Sequence, residues 1–278
     1  MSIDDFIARL SILDEQASAP LDARRRRYEA LHQHHRPADP PGMRVEDTQI
    51  AGVGIRRFMP PSVKPGPVVY LHGGGWNLGS VQSHHGITAN LASRLSREVI
   101  SVEYRLLPEA SYAEALADCV TVVEATGPVA LGGDSAGGRL AIDVAATTDW
   151  PGVLGLIYPV VGTPTLATLG EDAPLLTRAD VLSLWQMANQ GTTIDRGPMP
   201  AVDPHRPPAE IIEALAVERD PLTRPLENAI EQWRAAGARV GYRCAPDMVH
   251  SALHGHAELE PMKNAWQQFC QALDRRLG

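Results

Sequence analysis

A strand-like apolar run at residues 129–131 leads into Gly133-Asp134-Ser135-Ala136-Gly137, and a helical pattern begins at residue 136. So few residues leave room only for a sharp strand-to-helix turn with the serine at its apex. An earlier run at 68–71 leads in the same way into His72-Gly73-Gly74-Gly75-Trp76. Turns of this kind join the strands of a parallel sheet to its covering helices.

The rest of the chain repeats the theme. Strand-like runs are expected at 99–104, 153–158, 211–217 and 240–244 as well, with helical patterns at 85–96, 110–125, 136–148, 223–236 and 257–276 between them. Strands alternating with helices build βαβ units, whose right-handed crossovers place helices on both faces of the sheet. Runs at 45–50 and 53–59 flank Ala51-Gly52 and predict an antiparallel hairpin at the start. The expected fold is a mostly parallel eight-stranded sheet in one α/β domain over residues 1–278, a length that can bury a full core.

Two stretches stand outside the alternation. Residues 4–16 and 21–35 read as helices, closed by Pro37-Ala38-Asp39-Pro40-Pro41-Gly42. Between Tyr158 and Ile211 lies a Gly-, Pro-, Thr- and Asp-rich insertion with one helical stripe, Val181, Leu184, Trp185 and Ala188, opened by Thr177 as N-cap. Residues 1–40 and 162–208 are expected to form a small helical cap. The run Arg24 to Arg27 reads as a solvated helix face, with an anion patch as the other reading.

A formal charge of −8 argues against nucleic-acid or anionic-membrane partners. The three cysteines, Cys119, Cys244 and Cys270, are too few and too widely spaced for a disulfide framework or a zinc site. Cys119 and Cys270 lie in apolar helical patterns and read as buried thiols. No apolar run approaches a membrane span, and the first residues carry no apolar signal core, so a cytoplasmic location is expected. A homodimer is compatible with the sequence, which does not set the oligomeric state.

The two glycine motifs carry the chemistry. The second fits a nucleophile elbow, and the first fits a loop whose backbone N–H groups build an oxyanion hole. A lone G-x-S-x-G arises by chance in about one chain in ten of this length, but H-G-G-G is far rarer, so the ordered pair decides. A dinucleotide-binding reading fails because the G-x-G-x-x-G spacing is absent. A serine nucleophile needs a base, and the base needs an orienting acid, in the chain order Ser, Asp or Glu, His. Asp220 follows the 211–217 strand and His250 follows the 240–244 strand, both at C-terminal strand ends, where ligands bind in such sheets. Glu218 and Asp247 are alternative acids; His254 and His256 are alternative bases. His72 is expected to shape the oxyanion loop. His32, His34 and His35 are expected at the surface, and His84 and His85 are expected to serve the start of their helix.

The chain resembles the hormone-sensitive-lipase-like branch of the α/β-hydrolases, which contains bacterial acetyl and carboxyl esterases. The resemblance rests on His72-Gly73-Gly74-Gly75-Trp76, Tyr104-Arg105-Leu106-Leu107-Pro108-Glu109, Gly133-Asp134-Ser135-Ala136-Gly137-Gly138, Asp220-Pro221-Leu222 and His250. It implies oxyanion donors from Gly74, Gly75 and Ala136, with Gly73 shaping the loop. It also implies a cap from the N-terminal helices and the insertion, a small-molecule ester substrate, and chemistry that needs neither metal nor organic cofactor. Trp76 and Trp185 are expected to wall the substrate pocket. Departures from the family pattern are Arg139 where Asn is frequent, Ala113 for a usual Pro, and Ser251-Ala252 for a common Gly-Phe pair. An amide or formamide hydrolase with the same triad is an alternative, since formamidases resemble this family. A non-catalytic binding homologue is another, but plant receptors of that type lack the histidine that His250 supplies here.

Overall fold

The computed structural model describes every residue except 14–17, 149, 191–198, 201, 202, 204 and 205. Eight strands form one sheet: β1 (Arg44–Ile50), β2 (Val53–Met59), β3 (Val68–Leu71), β4 (Val99–Glu103), β5 (Ala130–Asp134), β6 (Val153–Ile157), β7 (Ile211–Arg219) and β8 (Arg239–Val249). Their spatial order is β1-β2-β4-β3-β5-β6-β7-β8. The β1–β2 and β2–β4 pairs are antiparallel, and all others are parallel.

Side chains alternate across each strand, so every central strand feeds two cores. Val69, Leu71, Ile100, Val102, Leu154 and Leu156 face one layer; Val68, Tyr70, Val99, Val153 and Ile157 face the other. The first layer is closed by α4 (Tyr112–Thr126), α5 (Ser135–Thr147) and α7 (Thr223–Ala235) through Cys119, Leu140, Ile230 and Trp233. The second is closed by α3 (His85–Leu95) and α8 (Glu260–Leu277) through Leu91, Trp266 and Phe269. Each fully buried Leu or Phe side chain contributes about 1.5–3 kcal/mol. Buried Cys119 and Cys270 take part as small apolar groups, whereas Cys244 is exposed.

Three helices stand apart from this alternation: α1 (Ile3–Ser11), α2 (Leu21–His35) and α6 (Arg178–Gln190). The 4–16 helix expected from sequence stops at Ser11, and residues 14–16 of it lie outside the described residues. Phe6 and Leu10 of α1 are buried in the second layer. Thr177 caps α6 reciprocally: its Oγ1 accepts from Asp180 N at 3.2 Å, and Asp180 Oδ2 accepts from Thr177 N at 2.8 Å. Within 162–208, residues 191–198, 201, 202, 204 and 205 lie outside the described residues.

β8 runs five residues beyond its expected end. It passes through Pro246, which β8 tolerates as an edge strand, where proline costs no ladder bond on the open side.

Arg139 of α5 ties the layers above the sheet together. Its side chain is fully buried. Nε donates to both Asp143 oxygens at 3.0 Å, Nη1 to Gly162 O at 2.9 Å and Nη2 to Pro200 O at 2.6 Å. Tyr112 of α4 donates to the same Asp143 at 2.6 Å. Arg139→Met strands a buried carboxylate and two carbonyls, so a loss of about 3–5 kcal/mol in urea-denaturation stability is expected.

Candidate active site

The elbow is built by close approach. Ser135 has φ +51, in the left-handed region that a non-glycine residue enters only under constraint. A Cβ at Gly137 would collide with the Leu71 carbonyl oxygen, and one at Gly133 would strike the Gly137 carbonyl. Small residues at both flanks therefore let α5 start immediately above β3 and β5.

Asp220 and His250 arrive from the last two strands. The β7–β8 ladder pairs Arg219 with Val249, so the next residues of each strand, Asp220 and His250, emerge side by side. Asp220 Oδ2 lies 2.7 Å from His250 Nδ1, and His250 Nε2 lies 2.9 Å from Ser135 Oγ. The other Asp220 oxygen accepts from Leu222 N at 2.8 Å, which fixes the carboxylate plane. Asp220 and His250 are buried, and the Tyr158 ring leans on the imidazole with centroids 4.7 Å apart. The alternative acids are engaged elsewhere. Glu218 accepts from Asp247 N at 2.7 Å, and Asp247 faces Arg219 at 3.4 Å. His254 is half-buried against His32, and His256 is buried with its Nδ1 bonded to Leu253 O at 2.9 Å.

The glycine loop wraps the same point. Gly74 has φ +115, and a Cβ there would collide with Leu78 O, so only glycine fits. No acceptor among the described residues takes the N–H of Gly74 or Gly75. Ala136 is in the first turn of α5, where an N–H has no intrahelical partner. Trp76 Nε1 donates to Ala136 O at 3.0 Å and joins the loop to the elbow. His72 stacks on Tyr104 with centroids 4.2 Å apart, and its Nδ1 is 2.9 Å from Gly73 O, a loop-shaping position.

Asp134 was not singled out by the sequence reading, although it lies inside the elbow motif. Its buried carboxylate accepts from Tyr70 Oη at 2.7 Å and Gly73 N at 3.1 Å, and lies 3.3 Å from His84 Nε2. Burial alone would raise its pKa. His84 beside it and the hydrogen bonds from His84 and Tyr70 outweigh this and hold it below the usual carboxylate range. Both glycine loops thus converge on one anion. His85 contacts Asp39 at 2.8 Å and Arg56 at 3.2 Å, so both histidines at the start of α3 do structural work.

His32 departs from expectation. It is buried rather than at the surface and stacks on His254 with centroids 3.6 Å apart, while His84 meets His254 edge-on at 4.7 Å. The pairing joins α2 to the segment after His250, a contact that no local pattern announces. Burial, followed by His84, lowers the His32 pKa to about 3. The same two causes bring His72 to about 3. Burial brings His256 to about 4 and, with His32 nearby, drives His254 well below its ordinary value.

Two spaces that share walls lie at the site, and the narrower one reaches Ser135. A narrow slot of about 20 Å³ is walled by Trp76, Val160, Val181, Leu184 and Leu222. A wider cavity of about 340 Å³ opens over Gly74 and Gly75 beneath α1, α2 and α6. Gly75, Leu176 and Leu184 belong to both. Trp185 does not line either space. Its ring lies against the Arg139 guanidinium, 5.1 Å from centroid to Cζ, because one residue along a helix turns a side chain by about 100°. Leu184 takes the position expected of Trp185.

A family model described as "alpha/beta hydrolase fold" matches residues 68–254. The chain belongs to this α/β-hydrolase family, and the hormone-sensitive-lipase-like resemblance read from its motifs holds. Carboxylesterase NlhH of Mycobacterium tuberculosis is 29% identical over 272 residues, covering 85% of this chain and 84% of that protein. The structure titled hyperthermophilic esterase from the archaeon Pyrobaculum calidifontis superposes with a TM-score of 0.78 at 26% identity, covering 97% of each chain. A hormone-sensitive lipase from a metagenome library shares the fold, with a TM-score of 0.81 at 22% identity over 100% of this chain and 99% of that one. No helix among the described residues is long and apolar enough to cross a membrane.

The buried histidines predict acid sensitivity. An unfolded histidine takes up its proton near pH 6.5, whereas the folded ones resist it. Stability is therefore full above about pH 6.5 and falls as pH drops from there towards 4. Each histidine adds a slope of about 1.4 kcal/mol per pH unit. Urea midpoints at pH 7.5 and 5.5 measure the effect, and equal midpoints would contradict it.

Proposed function

We propose that this α/β hydrolase cleaves short-chain carboxylic esters through a Ser135–His250–Asp220 triad and an acyl-enzyme. The observation that carries the reading is the line of contacts from Ser135 Oγ to His250 Nε2 at 2.9 Å and from His250 Nδ1 to Asp220 at 2.7 Å. His250 takes the Ser135 proton as Oγ attacks the ester carbonyl. Asp220 holds the tautomer and stabilises the imidazolium. The N–H groups of Gly74, Gly75 and Ala136 meet the developing oxyanion, each worth about 3 kcal/mol of barrier, while Gly73 keeps the loop against Asp134. His250 then protonates the leaving alcohol, and water repeats the sequence on the acyl-enzyme. Every step uses the chain's own groups, so no cofactor is invoked.

The spaces around Ser135 support a short acyl group. A slot of about 20 Å³ holds little more than one water, which suits an acetyl methyl and excludes a long chain. Residues 1–40 and 162–208 act as the cap: α1, α2 and α6 roof the wider cavity. Trp76 walls the acyl slot, and Trp185 supports α6 from behind.

Three variants test this. Ser135→Ala is expected to lower kcat on 4-nitrophenyl acetate to below about a hundredth, with the urea midpoint retained; activity above that level removes Ser135 as nucleophile. Leu184→Ala is expected to move the acyl optimum from acetyl towards butanoyl or hexanoyl esters. Trp185→Ala is expected to lower stability by about 1–3 kcal/mol without moving the optimum. A shared fall in kcat/KM across acetyl to octanoyl esters for Leu184→Ala would mean that Leu184 only packs the cap.

A further inference from the structure

The arginine run of α2 divides into two pairs with different surroundings. Arg25 is committed: it donates to Asn77 O and Leu107 O at 2.8 Å and holds both Glu109 oxygens. Arg26 pairs with Asp22 at 2.9 Å on the solvent side. Arg24 and Arg27 are three apart and so share a helix face. That face looks into the wider cavity, and both residues line it. Neither has an ion-pair partner among the described residues. Arg24 is half-buried and Arg27 exposed.

The other charged groups of that cavity do not cancel them. Among the described residues Asp180 is the one carboxylate in the lining, and its Oδ2 already accepts from Thr177 N and Oγ1 at 2.8 and 2.6 Å. His32 stays uncharged because burial lowers its pKa to about 3. Two arginines therefore line a cavity in a protein whose formal charge is −8. An acidic chain repels anions at long range, so a local positive lining beside Gly74, Gly75 and Ser251 has a selective effect.

The position identifies the half of the substrate concerned. Ser251, the residue after His250, lines the wider cavity, as do Gly74 and Gly75. In the proposed mechanism His250 protonates the leaving oxygen, so the alcohol half of the ester lies on this side and the acyl half lies in the slot. Resting on the proposed ester hydrolysis, we infer that the preferred substrates carry a carboxylate on the alcohol half, held by Arg24 and Arg27. Guanidinium forks match a carboxylate in geometry and charge. The chemical step is unchanged: the acyl C–O bond breaks, the leaving oxygen takes the His250 proton, and the carboxylate serves only to orient the alcohol.

Acetyl esters of 4-hydroxybenzoate and of 3-(4-hydroxyphenyl)propanoate test this, each beside its neutral carboxamide counterpart. Expected is a kcat/KM about ten-fold higher for at least one anion over its amide, carried by KM and shrinking as salt is added. 4-Nitrophenyl hydrogen succinate, with its carboxylate on the acyl half, should gain nothing over 4-nitrophenyl butanoate. In the double variant Arg24→Gln/Arg27→Gln the anion-to-amide ratio should collapse towards one. Equal rates for anion and amide in the unaltered enzyme overturn the inference. So does a double variant that lowers both by one factor, which would make the arginines supports of the cap. If no acetate is cleaved, the esterase reading has failed instead. Calorimetric titration with 4-hydroxybenzoate and 4-hydroxybenzamide then decides the anion site alone, and equal affinities reject it.

Discussion

The buried Asp134 carboxylate is the interaction on which the site depends. It accepts from Gly73 N and Tyr70 Oη and faces His84, so it joins the glycine loop, β3 and the start of α3 to the residue preceding Ser135. An unpaired buried carboxylate would be costly, which makes this cluster all-or-none: its partners must be in place together. The positions of Gly74 and Gly75 relative to Ser135 follow from that requirement. In the proposed mechanism, N–H groups held in this way need no reorganisation as charge develops.

A second constraint is steric. Ser135 keeps a left-handed backbone because α5 begins directly over β3, and glycines at 133 and 137 permit that approach. The imidazole reaches the serine by a different route, through strand pairing. The Arg219–Val249 pair at the far end of β7 and β8 brings Asp220 and His250 out together. Packing, a buried anion and sheet register thus each position a different member of the site.

Much of this was legible in the sequence because it depends on local signals. The strand–helix alternation, the two glycine motifs and the strand-end positions of Asp220 and His250 are all short-range patterns, and the structure brings Ser135, His250 and Asp220 within hydrogen-bond distance. What was not legible depends on tertiary contact. His32 is buried by His254, a residue far along the chain, within a helix whose polar composition reads as surface. Trp185 and Leu184 are neighbours on α6, and pattern alone could not say which faces the cavity; Arg139, itself a departure from the family pattern, draws the indole to the other side. The four arginines of α2 look alike in sequence. Glu109 and Asp22 claim two of them, and only the packing of α2 over the glycine loop shows where the other two point.

The order of strands in the chain also bears on how the molecule is made. Ser135 and His250 are 115 residues apart, and the histidine follows the edge strand that completes the sheet. A chain emerging from its N-terminus would display the elbow and the glycine loop well before β8 exists. On the proposed mechanism, the growing polypeptide would carry a hydroxyl with no proton acceptor beside it, and hydrolytic competence would arise in one step when β8 docks on β7. Turnover would therefore report the fully folded chain and remain silent for every shorter one.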